Sequence, residues 1–164
     1  MQERKALLIL HGKQALNAEV RTAVEARRAQ GWQLDVRVTW EAGDAQRLVN
    51  EALAAGYPTQ LWPPDDPRLL DTVEFRLQRC FVKDAFYQDM IHSGLNAYLT
   101  LHVAQVLLRA QDPRYLTLMD AVAGLASPTG QWPEAIHPAT GGGCMGDGHH
   151  VWAAAEWLLM LRNC

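Results

Sequence analysis

The sequence predicts an α/β protein in which a small N-terminal β-α-β-α unit precedes an all-helical part of about five helices. Up to about residue 56, strand-like apolar runs alternate with helical spacing. From Leu69 onward, helical spacing takes over. A stretch rich in glycine and proline, residues 127–148, interrupts the helices and predicts a long loop.

The N-terminal unit is predicted from four segments. Residues 6–10 form a continuous apolar run, which is typical of a strand buried on both faces. A helical pattern runs from Leu16 to Gly31, and residues 34–40 alternate as a second strand that ends at Trp40. Asp44 is expected to cap a second helix that ends before Gly56. A strand, helix, strand order favours parallel pairing by a right-handed crossover, so we expect a two-stranded sheet with exposed edges.

The second part is predicted from the spacing of its apolar residues. The expected helices span residues 71–81, 84–91 and 95–110, a segment that starts at Asp112-Pro113, and residues 149–162. A proline directly after a capping residue is favoured at a helix start. His92 and His102 lie on or beside apolar helical faces and are expected to be core histidines. Core packing explains most of the tryptophans.

Composition excludes several classes of function. The chain has 164 residues, is 49% hydrophobic and 20% charged, and carries a net charge of -3. A slightly acidic chain has no electrostatic reason to bind nucleic acid or an anionic membrane. No apolar run approaches the ~18 residues of a membrane span, so we expect a cytoplasmic protein. Its three cysteines, Cys80, Cys144 and Cys164, are expected to be reduced thiols.

Two motifs in the first third carry a family resemblance. LLILHGK at residues 7–13 and VRVTWEAGDA at residues 36–45 resemble the opening of bacterial lipid kinases of the diacylglycerol-kinase type. The resemblance covers residues 1–59 and implies a glycine-rich loop that binds nucleotide phosphates after the next strand. That position reads QLWPPDDP, residues 60–67, and its prolines have no amide to donate. Kinase activity and a bound nucleotide are therefore not expected.

A second resemblance covers residues 69–164, beyond a junction at residues 60–68. GQWPEAIHP at 130–138, GGGCMGDG at 141–148 and WAAAE at 152–156 are similar to the C-terminal end of six-hairpin, glycosidase-like toroids. The resemblance implies that the helical part is a partial α/α toroid. The sequence thus resembles a chimera of two truncated proteins.

The polar residues of the 131–150 loop form the candidate site. Cys144, Asp147, His149 and His150 fall within seven positions and are ligand types that zinc accepts. Glu134 and His137 lie just upstream. A metal-bound water would supply hydroxide at neutral pH. The sequence therefore predicts a low-specificity hydrolase of activated phosphoesters or esters. Its candidate cofactor is a divalent metal such as zinc, and its candidate catalytic residues are Glu134, Asp147, His137 and Cys144.

Several alternatives stay open. The toroid resemblance implies Glu134 as a carboxylate of a residual glycoside hydrolase or of a sugar-binding module. In a purely structural interpretation, the Glu134 carboxylate anchors the loop by accepting hydrogen bonds from backbone amides. His149 and His150 are then residues at the start of a helix, one solvated and one packed. Cys144 is a candidate for a thiolate–imidazole pair. A folded fusion without catalysis is the third possibility.

The two truncated halves predict that the chain associates with a second copy of itself. Two incomplete halves would expose surfaces that their parents cover, and a symmetric homodimer is a simple way to bury them. Either the sheets pair edge to edge or the helical parts pack face to face. Beyond a second copy, the expected partner is a small-molecule substrate.

Overall fold

A computed structural model describes residues 4–39, 48, 51–89 and 93–164 of the chain. These residues form two compact units, Met1–Ala52 and Leu53–Cys164. The family boundaries expected from the sequence, 1–59 and 69–164 around a junction at 60–68, stay a prediction. The described residues contain both helices and strands, which confirms the predicted α/β class. The predicted arrangement of the units is a finer claim, and it stays a prediction.

The first unit contains a parallel pair of strands joined by a helix. Strand β1 is Arg4–His11, helix α1 is Ala18–Ala29 and strand β2 is Trp32–Thr39. The register runs from Arg4 opposite Trp32 to His11 opposite Thr39. Asn17 caps α1, because its side chain accepts hydrogen bonds from two amides of the first turn. The predicted strand, helix, strand order is present.

The expected burial of β1 on both faces is wrong. Leu7 is 39% exposed, and residues 8–10 are only half-buried. In the part of the chain that the structure describes, β1 and β2 pair only with each other, and α1 packs against β2. The second predicted helix is present at Leu48 and at residues 51–54, whereas Trp40 and the predicted cap Asp44 lie outside the described residues.

The second unit combines helices with a sheet. Its helices are α2 (Pro67–Arg79), α3 (Ala97–Arg109), α4 (Arg114–Gly124) and α5 (Val151–Asn163). Its strands are β3 (Phe81–Val82), β4 (Ala85–Gln88), β5 (Gly94–Leu95), β6 (Ala135–Ile136) and β7 (Gly143–Met145). They form one antiparallel sheet in the order of the chain. The prediction of an all-helical second part is therefore wrong.

A tight turn explains the largest error. The sequence predicted a helix over 84–91, but Lys83 and Asp84 both have positive φ, at 52° and 58°. Two such residues between paired strands make the turn that suits a hairpin, so the chain reverses and β4 pairs with β3. The predicted loop 127–148 likewise contains β6 and β7, which extend the same sheet.

Helix α3 forms the centre of the core. Its residues from Ala97 to Leu107 are buried except for two near its start, and it packs against α4 and α5. Trp132 is 5% exposed, and its Nε1 donates a hydrogen bond of 2.8 Å to the Val122 carbonyl. The core therefore anchors the segment that leads into the candidate loop. Across the described residues, no helix has the length and apolar character needed to cross a membrane.

Candidate functional site

An open pocket of about 530 Å³ lies beside the start of α5. Its walls include six side chains and one glycine of the loop and helix: Glu134, Gly146, Asp147, His149, His150, Val151 and Trp152. Four residues of the predicted site, Glu134, Asp147, His149 and His150, therefore share one cavity.

Short backbone contacts fix these residues. The Glu134 amide donates to the Met145 carbonyl at 3.2 Å, which extends the β6–β7 pairing by one residue. The Asp147 carboxylate accepts from the His149 amide at 2.9 Å. The His150 amide donates to the carbonyl of the buried Trp132 at 2.8 Å, which ties the start of α5 to the core.

Two of the predicted residues lie elsewhere. The Cys144 thiol donates to the Ser93 carbonyl at 3.3 Å, beside Gly94 of β5. His137 is exposed, and its Nδ1 accepts from the amides of Ala139 and Thr140. Neither residue lines the pocket.

The predicted zinc ligands are not gathered as a set. Among the residues that the structure describes, no three His, Cys, Asp or Glu side chains form a group able to hold a metal ion. Zinc binding by Cys144, Asp147, His149 and His150 stays a prediction. The alternative for the two histidines fits the geometry, because His149 is exposed and His150 packs against aromatic rings.

Three aromatic rings pack together beside the pocket, and two of them, His150 and Trp152, line it. The ring centroids of Tyr98 and Trp152 lie 5.6 Å apart, those of His150 and Trp152 5.9 Å, and those of Tyr98 and His150 6.1 Å. The Nδ1 atom of His150 is enclosed, and it has no hydrogen-bond partner among the described residues. Trp152 is 66% exposed, so this tryptophan is not a core residue.

A buried polar network centres on Glu156, one turn of α5 beyond Trp152. Glu156 is 6% exposed, and its Oε2 lies 3.7 Å from His102 Nε2. Gln105 donates to Oε1 at 3.3 Å, and the hydroxyl of Tyr57 interacts with the same carboxylate. His102 packs against Tyr98, with ring centroids 4.1 Å apart. The network thus adjoins the aromatic rings of the pocket.

The network shifts the pKa values of its members. Burial alone would raise the pKa of Glu156, but the interactions with His102, Tyr57 and Gln105 outweigh it and hold the pKa below its usual range. Burial, then Glu156, raises the pKa of the Tyr57 hydroxyl, because ionisation would place a second negative charge beside the carboxylate. Glu156 is therefore ionised at neutral pH and Tyr57 is protonated.

Sequence reasoning missed this network. The prediction that His102 is a satisfied core histidine is confirmed, whereas His92 lies outside the described residues. Glu156 is the one charged residue between Val151 and Leu161, in an otherwise apolar helix. A charge at such a position must be exposed or paired, so the isolated charge marked Glu156 as a residue whose burial had to be decided by the structure.

The first unit has its own polar edge. His11 and Thr39 are paired at the carboxyl ends of β1 and β2, and the Thr39 hydroxyl donates to the Leu10 carbonyl at 3.3 Å. A single 3-10 turn, Gly12–Gln14, follows β1, and its Lys13 amide donates to His11 Nδ1. Lys13 is exposed between the end of β1 and the capped start of α1.

The chain resembles two different classes of protein. Two proteins named probable lipid kinase YegS-like, from two strains of Pseudomonas fluorescens, are 70% and 68% identical to it over 74 residues. A protein of the same name from Pseudomonas aeruginosa is 57% identical to this chain, also over 74 residues. The matched residues are 45% of this chain and about a quarter of each relative. The chain therefore spans only about a quarter of the length of these curated relatives.

The second likeness is structural. A solved glycosidase structure superposes on 92% of this chain and 46% of its own, with a TM-score of 0.60 and 17% identity. At that identity the likeness concerns the fold alone. No family model matches the chain. The two likenesses confirm the chimera-like resemblance expected from the sequence.

The predicted hydrolase function is contradicted by these relatives. Proteins that are up to 70% identical to this chain over 74 residues are named as probable lipid kinases and not as hydrolases. The glycosidase likeness is too weak in sequence to carry its chemistry over. Four of the loop residues do share a pocket, but the prediction that they hydrolyse esters, or that Glu134 is a glycosidase carboxylate, is wrong by this comparison.

Proposed function

We propose that this chain binds a nucleoside triphosphate through its N-terminal unit and takes part in phosphoryl transfer of the lipid-kinase type. The observation that carries the proposal is the 70% identity over 74 residues to a protein named as a probable lipid kinase. The proposal reverses the expectation from the sequence that no nucleotide is bound.

The polar edge of the first unit supports phosphate binding. In open sheets of parallel strands, ligands bind beyond the carboxyl ends of the strands. Here that edge presents the exposed Lys13 between β1 and the N-terminus of α1. A lysine is a common phosphate ligand, and the N-terminal end of a helix favours negative charge.

The proline segment limits what this site can do. In the lipid kinases that residues 1–59 resemble, a glycine-rich loop binds the phosphates, whereas residues 60–67 of this chain include Pro63, Pro64 and Pro67. Prolines have no amide hydrogen, and Pro67 opens α2. The phosphate contacts would therefore depend on Lys13 and the start of α1, and we expect weaker binding than in a complete kinase.

Binding is tested by titrating ATP with Mg²⁺ into the full chain. Lys13→Ala should weaken binding by about tenfold or more, because a charge-assisted contact is worth roughly 1.5 to 3 kcal/mol and about 1.4 kcal/mol corresponds to tenfold. Arg27→Ala, at the opposite end of α1, is the matched control and should bind ATP normally. A chain that binds no ATP at about 1 mM, or one in which Lys13→Ala changes nothing, contradicts the proposal.

Transfer is tested separately. The chain is incubated with γ-labelled ATP and vesicles that contain diacylglycerol, and the lipid fraction is examined for label. We expect slow labelling that Lys13→Ala abolishes. ATP binding without any labelled lipid would restrict the proposal to nucleotide binding and refute its phosphoryl-transfer part.

A further inference from the structure

Two sulfur atoms from different helices lie side by side in the second unit. Cys164 directly follows α5, and its thiol donates a hydrogen bond of 3.7 Å to the thioether sulfur of Met119 on α4. The two residues are 45 positions apart in the sequence, so the fold brings them together. Because the thiol donates to the thioether, both sulfurs face the same small volume.

Contacts with the core hold both sulfurs in place. Met119 is only 9% exposed, and the Cys164 amide donates to the carbonyl of the fully buried Met160 at 3.1 Å. The Asn163 amide group donates to Gln105 Oε1 at 3.0 Å, which attaches the end of α5 to the buried face of α3. Cys164 itself is exposed, so an ion from solvent can reach its thiol.

The distance between the two sulfurs matches that between two ligands of one metal ion. A bond from a metal to a thiolate is about 2.3 Å long, and two such bonds at a tetrahedral angle place their sulfurs about 3.8 Å apart. The observed separation is 3.7 Å. One ion can therefore bind both sulfurs without movement of either helix. The thiol loses its proton to solvent when the ion binds.

We propose that Cys164 and Met119 together bind one Cu(I) ion. Thiolate and thioether are soft ligands, and Cu(I) is the metal ion that such a pair selects. A water molecule or a small thiol completes the coordination from the exposed side of Cys164. The site lies in the second unit, and it is independent of the nucleotide binding proposed above.

Other ions fit the two sulfurs less well. Mg²⁺ and Ca²⁺ take oxygen ligands, and neither side chain offers one. Zinc takes three or four thiolate, imidazole or carboxylate ligands, and among the described residues Cys164 belongs to no group of three such side chains. A thioether cannot form a disulfide, so oxidation of this pair does not produce a cross-link. A soft monovalent ion is the class that two sulfurs alone can hold.

The first test titrates Cu(I) into the full chain, without oxygen, in competition with a coloured Cu(I) chelator. Met119→Leu should weaken Cu(I) binding by at least about tenfold, because the loss of a group that only orients a metal ligand already costs about 10- to 100-fold. This variant keeps every thiol and nearly conserves side-chain volume, so it distinguishes a two-sulfur site from adventitious binding to a thiol. Met145→Leu, in the half-buried strand β7, is the matched control and should bind Cu(I) normally.

Copper K-edge absorption then identifies the ligands. The natural chain should show two sulfur neighbours of the copper, and Met119→Leu should show one. Cys164→Ser should lose the site, whereas Cys80→Ser, at a half-buried thiol outside it, should keep it. Equal Cu(I) affinity in the natural chain and Met119→Leu would overturn the proposal, as would binding that survives Cys164→Ser. If Met119→Leu fails to fold, Cys164→Ser still decides, because it changes an exposed side chain.

Discussion

At the scale of single residues, the most constrained group in the second unit is the carboxylate of Glu156. It is buried, yet the interactions with His102, Tyr57 and Gln105 keep its pKa below its ordinary value of 4.5. A group whose pKa is lower in the folded state stabilises the fold above its unfolded pKa. That stabilisation is lost as the pH falls through the folded pKa.

The pH dependence of unfolding tests this arrangement. The urea midpoint of the natural chain should be constant near neutral pH and should decrease once the pH is below about 4.5. The free energy of unfolding should decrease by about 1 kcal/mol for each unit by which the pKa of Glu156 differs between the folded and unfolded chain. Glu156→Gln should unfold more easily at pH 7, by roughly 1 to 3 kcal/mol, because it weakens a buried network. It should also lose part of the acid dependence.

Asp120→Asn serves as the control, because its carboxylate is exposed on α4. It should follow the natural chain at every pH. If Glu156→Gln shows the same acid dependence as the natural chain, other carboxylates account for it and the role given to this network is wrong.

At the scale of elements, the β5–β6–β7 part of the sheet depends on a glycine. A Cβ atom added to Gly94 would lie 2.8 Å from Cys144 Sγ, 2.9 Å from the Ile136 carbonyl oxygen and 3.0 Å from the Ile136 nitrogen. Two of these atoms belong to the backbone of the neighbouring strand, and they cannot move without disturbing the pairing of Leu95 with Ile136. Close approach of two strands therefore excludes a side chain here.

Gly94→Ala should lower the free energy of unfolding by about 1 to 3 kcal/mol, as for other overpacked sites. Gly124→Ala is the matched control. It sits at the last residue of α4, and its added Cβ would meet no atom within 4 Å. The control should be neutral or more stable by up to about 1 kcal/mol. Chemical denaturation of both variants measures this difference. Equal free energies of unfolding for Gly94→Ala and Gly124→Ala would show that the strands can move apart without loss of stability, and would contradict the prediction.

The same sheet shows which strands the spacing of apolar residues in the sequence cannot predict. The parallel pair β1–β2 and helices α3 and α5 were predicted because each runs for eight or more residues. Strands β3, β5 and β6 have two residues each, too few to show an alternation. The apolar pair Phe86-Tyr87 fits a helix and a strand equally well. Pairing with β5, formed only in the folded chain, decides for the strand.

The candidate site was predictable only in part. Loop composition placed Glu134, Asp147, His149 and His150 near one another, and they share the pocket. Cys144 could not be placed, because its direction follows from the pairing of β7 and the nearby Ser93 carbonyl. The network of Tyr57, His102 and Glu156 joins residues that are far apart in sequence, so spacing alone carries no sign of it.

At the scale of the whole molecule, an apolar stripe on α5 bears on the predicted homodimer. Val151 is 72% exposed, Leu158 67% and Leu161 51%, and the exposed Ala154 and Ala155 lie between them at helical intervals. The stripe is apolar from Val151 to Leu161, and the exposed Arg162 continues the same face at its C-terminal end. An identical stripe on a second copy matches it in chemistry, and a two-fold axis brings equivalent residues together.

We therefore propose that the homodimer forms through α5, and light scattering after size exclusion tests this. The natural chain should show a mass near twice 18.3 kDa. Leu158→Glu should give a monomer, because it places two like charges together in an apolar contact and leaves them without partners. Leu16→Glu is the control, since Leu16 is 97% exposed and outside the stripe. A monomeric natural chain, or a dimer that survives Leu158→Glu, would contradict pairing through this helix.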